Sequence, residues 1–191
     1  IKKITLNNNI DENLNQEIHA SLKQFYNFNI LSINSMEIIS ILDQFNMISS
    51  YKIKKEYPST IKVEIKETNI LAYYIDNNQK TFLGENGKKI KNEKLIIDDF
   101  PLIVGNVDIE KFLELKSKLI NNGFNLNDFE TFYFFKSKRW DLYYKNTQTL
   151  VKLPNDDLDI SISLFKNIIQ NSDVKNIKII DLRIKNRITL L

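Results

Sequence analysis

The segment YKIKKEYPSTIKVEIKE, residues 51–67, decides the fold of the first part of this chain. Its second half alternates Ile61, Val63 and Ile65 with charged side chains. Side chains of a β-strand point to opposite faces with period two, so this half predicts a strand with one buried face and one wet face. Pro58 cannot donate a hydrogen bond to a sheet, and the segment around it predicts the turn of an antiparallel hairpin.

The residues before this hairpin predict one strand and two helices. Residues 2–6 alternate like a short strand, and Asp11 and Ser35 are candidate caps for two helices. The apolar residues at helical spacing are Leu14, Ile18, Leu22 and Phe25, then Ile38, Ile41, Leu42 and Phe45. The order strand, helix, helix, strand, strand predicts a small α+β domain that ends near residue 69.

The remaining residues predict a mixed β domain with two or more helices. Strand-like runs cover residues 71–75, 80–83, 129–135, 139–144, 149–153, 177–182 and 187–191, whereas residues 100–105 are interpreted as a loop or an edge segment. Asp108 is predicted to cap a helix that Gly123 ends. Another helix is predicted to follow Asp156 and Asp157. The predicted buried stripes are Ile109, Phe112, Leu113, Leu119 and Ile120, then Ile160, Leu164, Phe165 and Ile168.

The composition is that of a globular protein and excludes several kinds of site. The 191 residues are 42% hydrophobic and 27% charged, with a formal net charge of +3. The sequence has no cysteine and a single histidine, His19, which excludes thiolate sites and pairs of histidine ligands within it. Its four glycines form no phosphate-loop pattern. No apolar run approaches the roughly 20 residues that span a bilayer.

No residue pattern points to catalysis. The acidic pairs Asp98/Asp99 and Asp156/Asp157 are sequence neighbours, which is typical of caps and not of carboxylates that converge across a cleft. His19 lies on a different predicted element from every candidate nucleophile. The sequence is therefore interpreted as a protein without catalytic activity, cofactor, metal or small-molecule substrate.

Aromatic residues are dense between Phe124 and Tyr144 and are predicted to form a sheet core. An aromatic binding surface is the alternative, and stacking of single-stranded RNA is a weaker one because few basic residues accompany the rings. The mixture of lysine with acidic residues along the chain predicts no nucleic-acid partner. The three arginines, Arg139, Arg183 and Arg187, lie in the last third of a chain with 24 lysines. That placement indicates geometric roles for their planar guanidinium groups, a structural one for Arg139 beside Asp141.

The hairpin resembles the last hairpin of a POTRA domain, with matches at Tyr57, Pro58, Thr60, Ile61, Val63, Ile65 and Glu67. Later segments resemble the FtsQ/DivIB family of cell-division proteins. They are Ala72-Tyr73-Tyr74, Glu85-Asn86-Gly87, FPLIVG at 100–105, RWDL at 139–142, VKLP at 151–154, IDLR at 180–183 and Asn186-Arg187. Asn146-Thr147 departs from the Asn-Gly turn of the family. The resemblance covers nearly the whole chain and implies a POTRA domain at residues 1–69 and an FtsQ-type β domain at residues 70–191.

The resemblance further implies a non-enzymatic scaffold of the divisome at the cell-division septum. Such a protein crosses the inner membrane once, through a helix upstream of this chain, and holds this portion in the periplasm. Its implied partners are the septal proteins FtsB and FtsL. The alternative is a POTRA-containing component of outer-membrane protein assembly or secretion that binds client polypeptides, which requires further POTRA units or a barrel.

The binding mode that we expect is addition of a partner strand at the C-terminal sheet edge, where unpaired backbone groups form a template. Carried over by position from the family, the expected partner-binding residues are Arg183, Ile184, Asn186, Ile188 and Leu190. Arg183 is expected to bind an acid or a carbonyl of the partner. Tyr57 is a secondary candidate surface on the POTRA domain.

Overall fold

The computed structural model describes residues 1–7, 10–76, 78–91, 95, 97–106, 108–171, 177–185 and 187–191. Its contacts divide the chain into two compact units. The first comprises Ile1–Asn69 and Gly84–Ile90, and the second comprises Ile70–Leu83 and Lys91–Leu191. The fold is α+β, as the sequence predicts. Among the described residues, no helix combines the length and the apolar character that crossing a membrane requires.

The first unit has the predicted order of elements. They are β1 (Lys3–Leu6), α1 (Glu12–Leu22), α2 (Ser35–Leu42), β2 (Ile48–Glu56) and β3 (Thr60–Glu67). The central strand β3 runs parallel to β1 and antiparallel to β2, so the predicted hairpin is confirmed. The buried Ile61, Val63 and Ile65 of β3 pack with both helices into one core.

Side-chain caps determine where these two helices begin. The Asp11 carboxylate accepts hydrogen bonds from two backbone N–H groups in the first turn of α1, which confirms its prediction as a cap. The cap of α2 is Asn34, whose side chain accepts from the N–H of Met36, so the prediction of Ser35 is wrong by one residue. Asparagine and serine cap equally well, and here Asn34 has the extended backbone that a cap needs.

The other strands are β4 (Ile70–Asp76), β5 (Gln79–Gly84), β6 (Lys89–Ile90), β7 (Leu102–Val104), β8 (Phe129–Phe134), β9 (Trp140–Tyr144), β10 (Thr149–Lys152), β11 (Ile179–Asp181) and β12 (Thr189–Leu190). In the second unit they lie in the order β12-β11-β10-β9-β8-β7-β4-β5. Parallel pairs (β10 with β11, β7 with β8 and with β4) occur together with antiparallel ones, so the sheet is mixed, as predicted.

Two helices, α3 (Ile109–Asn121) and α4 (Leu158–Asn171), cover one face of this sheet. Asp108 accepts a hydrogen bond from the N–H of Lys111, and Gly123 has the left-handed φ of 84° that ends α3, both as predicted. Phe112 of α3 meets Phe132 of β8 with ring centroids 5.4 Å apart. Most of the aromatic segment is core, as predicted, because Phe124, Phe129, Trp140 and Tyr144 are also buried, whereas Phe135 is 38% exposed. The described residues also form three short 3₁₀ helices: Lys23–Phe25, Ile97–Asp99 and Leu126–Asp128.

The segment Gly84–Ile90, which holds β6, is attached to the first unit by its turn. Gly87 has a φ of 76°, which suits the predicted turn. The Asn86 side chain donates to the backbone carbonyls of Asn46 and Ile48, each at 3.0 Å. Asn86 thus ties this turn to the start of β2.

Three expectations about the second unit are wrong. Residues 100–105 contain β7, which lies between β4 and β8 and is an interior strand, not a loop or an edge. Ile120 and Ile160, both predicted to be buried, are 49% and 65% exposed. Both helices carry apolar side chains beyond a single stripe, so the periodicity alone did not determine which of these residues face the sheet.

Candidate partner-binding edge

The strand β12 is the end strand of the second sheet and pairs with β11. Leu191 and Ile179 exchange both backbone hydrogen bonds, at 3.0 and 2.9 Å. Residues of an antiparallel pair alternate between hydrogen-bonded and non-hydrogen-bonded positions, so the N–H and C=O of Leu190 point away from β11. The edge therefore presents a donor and an acceptor to a further strand.

Apolar side chains accompany this backbone edge. Ile184 is 61% exposed, and Ile188, Leu190 and Leu191 are 44%, 46% and 67% exposed. Single exposed apolar residues are ordinary, but several in one short segment are typical of an interaction surface. Four of the five expected partner-binding residues thus lie at the surface, while Asn186 lies outside the described residues.

A groove of 520 Å³ lies between the start of α4 and the segment that follows β11. Its apolar lining is Ile160, Leu164, Leu182 and Ile184, and its charged lining is Asp156, Asp157, Arg183, Lys185 and Arg187. Lys185 Nζ lies 3.2 Å from the carboxylate of Asp157. Sequence reasoning missed Ile160 as a surface residue, because it assigned this side chain to the core.

Arg183 is held by a neighbouring acid within the chain. Its Nε donates to both carboxylate oxygens of Asp181, at 2.8 and 3.0 Å, and its Nη2 donates to Oδ2. These hydrogen bonds lower the pKa of Asp181 and raise the pKa of Arg183. The remaining nitrogen, Nη1, carries two further N–H donors. The guanidinium is therefore oriented before any partner arrives.

A row of charged side chains leads from the sheet interior to this pair. Lys152 of β10 is in register with Asp141 of β9 and with Asp181 of β11. Asp141 is 4% exposed, and burial raises its pKa against the opposing effect of Arg139. Arg139 donates to Asp141 at 3.2 Å and stacks over the ring of Phe135 at 4.4 Å. Arg139 thus has the structural contacts that its sequence position predicts.

Arg139 and Arg183, each of which is hydrogen-bonded to an aspartate, line a second, more open groove. It measures 440 Å³, and its lining is Ser137, Arg139, Pro154, Asn155, Arg183 and Ile184. Guanidinium groups bind carboxylates through parallel N–H donors, and the serine and asparagine side chains add neutral hydrogen-bonding groups. This concave surface suits an acidic side chain or a backbone carbonyl. No sequence pattern points to Ser137 or Asn155, since neither stands in a recognisable motif.

Tyr57 belongs to the first unit and is 64% exposed. It stands in the turn between β2 and β3. The turn thus presents its ring at the surface of that unit. The other candidate residues all belong to the second unit.

The described part of the chain shows no cluster of three or more acidic or histidine side chains that could hold a metal ion. The features that concentrate at one place are instead an open strand edge, apolar side chains and oriented arginines. Such a surface can bind a polypeptide.

Comparison with known protein families identifies both parts of the chain. The family described as "Cell division protein FtsQ/DivIB, C-terminal" matches residues 72–183, and the family described as "POTRA domain, FtsQ-type" matches residues 1–68. The first match ends at Arg183, so Ile184, Ile188 and Leu190 lie beyond it. A search of curated proteins finds no match.

Proposed function

The chain belongs to the FtsQ/DivIB family of cell-division proteins, and we propose that it acts as a non-enzymatic scaffold of the divisome. In this proposal it recruits or links septal membrane proteins of the FtsB and FtsL type. The partner contributes a strand that pairs with β12. Family membership supports the choice of partners.

The observation that carries this proposal is the backbone of Leu190. Its N–H and C=O point away from β11 at the end of a sheet whose inner strands are all paired. A strand edge of this kind binds extended polypeptides through main-chain hydrogen bonds, while neighbouring side chains provide the specificity.

Side chains beside the edge support the same binding mode. Ile184, Ile188 and Leu190 offer apolar area that a partner removes from water. Arg139 and Arg183 line one groove and can bind an acid or a carbonyl that precedes or follows the added strand. Asn186 and the POTRA residue Tyr57 remain further candidates for partner contacts.

We also propose the cellular arrangement that the family suggests. A single membrane helix upstream of this chain would hold it in the inner membrane, with residues 1–191 in the periplasm at the division septum. Residues 1–69 would form the POTRA domain and residues 70–191 the β domain, a division supported by the matched ranges 1–68 and 72–183. A fluorescent fusion of the full-length protein that stays spread over the envelope of dividing cells would contradict this arrangement.

The test of partner binding is the affinity of this chain for the periplasmic portion of its own cell's FtsB-type protein, measured by calorimetry. Leu190→Pro removes the outward N–H and leaves the bonds of Leu191 to Ile179 in place, and Ile188→Pro perturbs the same edge. We expect each proline to weaken binding about tenfold or more. Arg183→Ala should weaken binding about tenfold through loss of a charge-assisted hydrogen bond.

Two control variants separate these effects from unspecific damage. Leu190→Thr keeps the N–H and should lose less affinity than Leu190→Pro. Ile120→Ala removes an apolar side chain of similar exposure on α3 and should bind like the unmodified chain. Unchanged affinity in all three test variants, Leu190→Pro, Ile188→Pro and Arg183→Ala, would refute strand addition at β12.

A further inference from the structure

One row of neighbouring side chains, one from each strand, crosses the sheet at the centre of the core. Its last member, at the sheet edge, is exposed. Strand pairing places six residues side by side on the helix-covered face: Ile103, Phe132, Leu142, Val151, Ile180 and Leu190. The first five are at most 2% exposed, whereas Leu190 is 46% exposed. Leu190 thus lacks the cross-strand neighbour that covers the other members.

A second row, which is mostly apolar, crosses the opposite face. Its members are Leu102, Thr131, Tyr143, Leu150 and Ile179, and Leu191 continues it through its paired backbone hydrogen bonds with Ile179. Leu102, Tyr143, Leu150 and Ile179 are partly buried, and Leu191 is 67% exposed. This row also ends on an uncovered apolar side chain.

The third row, on the same face as the second, becomes polar toward the edge. It runs through Val104, Tyr133, Asp141, Lys152, Asp181 and Thr189. Asp181 holds Arg183 at the end of this row. The residue of an added strand that lies opposite Thr189 would therefore continue a row of polar side chains.

We infer that the strand added at β12 carries an apolar residue opposite Leu190, an apolar residue opposite Leu191 and a polar residue opposite Thr189. This inference rests on the proposed function and names the sequence pattern of the partner. Directly opposed side chains are the units that stabilise a sheet, so each row selects the residue that continues it. A register shift of one residue would exchange the two faces, and it would place either the polar residue opposite Leu190 or an apolar residue opposite Thr189.

The same rows argue that the added strand comes from a different protein. If two copies of β12 paired antiparallel about Leu190, each Leu191 would lie opposite a Thr189. An apolar side chain would then lie opposite a polar one at two places in the dimer, which is unfavourable for both rows. A partner with two consecutive apolar residues followed or preceded by a polar one avoids this mismatch in either strand direction.

The test uses three synthetic peptides with one composition and the intact chain. Their central triplets are Val-Val-Ser, Ser-Val-Val and Val-Ser-Val, flanked on both sides by threonine and lysine. The amides of the first and third triplet residues are N-methylated, which blocks a shift of one residue in an antiparallel pair, because the residue directly opposite Leu190 then has to donate its own N–H to the edge. We expect Val-Val-Ser, which in an antiparallel pair places its valines opposite Leu191 and Leu190 and its serine opposite Thr189, to bind about tenfold more tightly than Val-Ser-Val.

A variant pair assigns this preference to Leu190. Leu190→Thr should remove most of the discrimination between the peptides, whereas Ile75→Thr, at a 55% exposed residue of β4, should preserve it. Equal affinity for all three peptides, with the Leu190 amide protected from hydrogen exchange, would overturn the inferred pattern and leave strand addition standing. Absence of that protection with the peptides and with the FtsB-type partner would overturn the proposed function itself.

Discussion

The two units each expose a sheet edge, and the two edges differ in length and chemistry. In the first unit β2 is an end strand of nine residues, with Lys52, Lys54 and Glu56 exposed along it. In the second unit β12 has two residues, of which Leu190 is an exposed apolar side chain, and the flanking Ile188 and Leu191 are exposed apolar side chains as well. The longer edge offers more backbone groups but places charges beside them.

This difference indicates which edge is built for a partner. Charged side chains, lysine above all, keep an exposed edge from pairing with other chains, because a pairing strand would have to bury them. Lys54 also forms an ion pair with Glu64 at 3.2 Å, so part of its charge is engaged within the sheet. Of these two edges, the β12 edge is the one open to pairing with another chain, because its exposed side chains are apolar.

The largest expected effect comes from the strand that supports the short edge. Ile180 is fully buried on β11, and Ile180→Ala should lower the free energy of unfolding of the second unit by about 3 kcal/mol. The fluorescence of Trp140, which is the single tryptophan and is buried in this unit, reports that unfolding during denaturant titration. The matched variant Ile61→Ala, in β3 of the first unit, should leave the Trp140 transition unchanged. A Trp140 transition shifted equally by both variants would contradict the assignment of Ile180, and not Ile61, to the core that contains Trp140.

The next effect comes from exchanging the chemistry of the two edges. Leu190→Lys gives β12 the protection that β2 has, and it should weaken partner binding about thirtyfold, or about 2 kcal/mol. The reverse change, Lys52→Leu, should make β2 prone to self-association, which light scattering over a concentration series detects. Since both sites are exposed, neither variant should change the free energy of unfolding by more than about 0.5 kcal/mol. Full partner affinity in Leu190→Lys would show that edge chemistry does not decide binding.

The smallest expected effect is a dependence on pH at the Asp181–Arg183 pair. The hydrogen bonds from Arg183 lower the folded-state pKa of Asp181, so the stabilisation is complete above the unfolded value of about 3.9 and is lost as pH falls through the folded value. Asp141 has the opposite effect on the pH dependence of stability. Burial raises its folded-state pKa, so protonation of Asp141 favours the folded state. Asp181→Asn should reduce the loss of unfolding free energy between about pH 6 and about pH 3 by at most about 1 kcal/mol. An unchanged pH profile in this variant would show that the pair adds nothing to stability.

Much of the fold could be predicted from periodicity, because alternation and helical spacing are strong in long amphipathic elements. The hairpin β2–β3 and the helix after Asp108 are examples. The strand β7 escaped prediction because it is a three-residue apolar run between Pro101 and Gly105. Pro101 has no N–H to donate, but its carbonyl accepts a hydrogen bond from the N–H of Tyr73 at the start of this strand. Gly105 has a φ of 118°, and a Cβ on it would lie 2.1 Å from the carbonyl oxygen of Phe134.

The candidate site could be predicted only in part. Arg183, Ile188 and Leu190 came from position within a family pattern, since nothing in their local spacing distinguishes them from other residues of a short strand. Ile160 was missed because helix α4 carries apolar residues on several sides, and only the packed sheet determines which of them face the core. Ser137 and Asn155 are distant in sequence and meet at one groove through the sheet topology.

The hydrogen-bonded pair of Asp181 and Arg183 also determines the distance over which this surface attracts a partner. A guanidinium bound to a carboxylate forms a pair with almost no net charge, so it attracts an approaching polypeptide weakly across solvent. Its remaining donors act only at contact, and their orientation is already fixed, so little side-chain entropy is lost when a partner binds. Arg183 therefore should slow the dissociation of a docked partner and should leave the rate of encounter, and its dependence on salt, nearly unchanged.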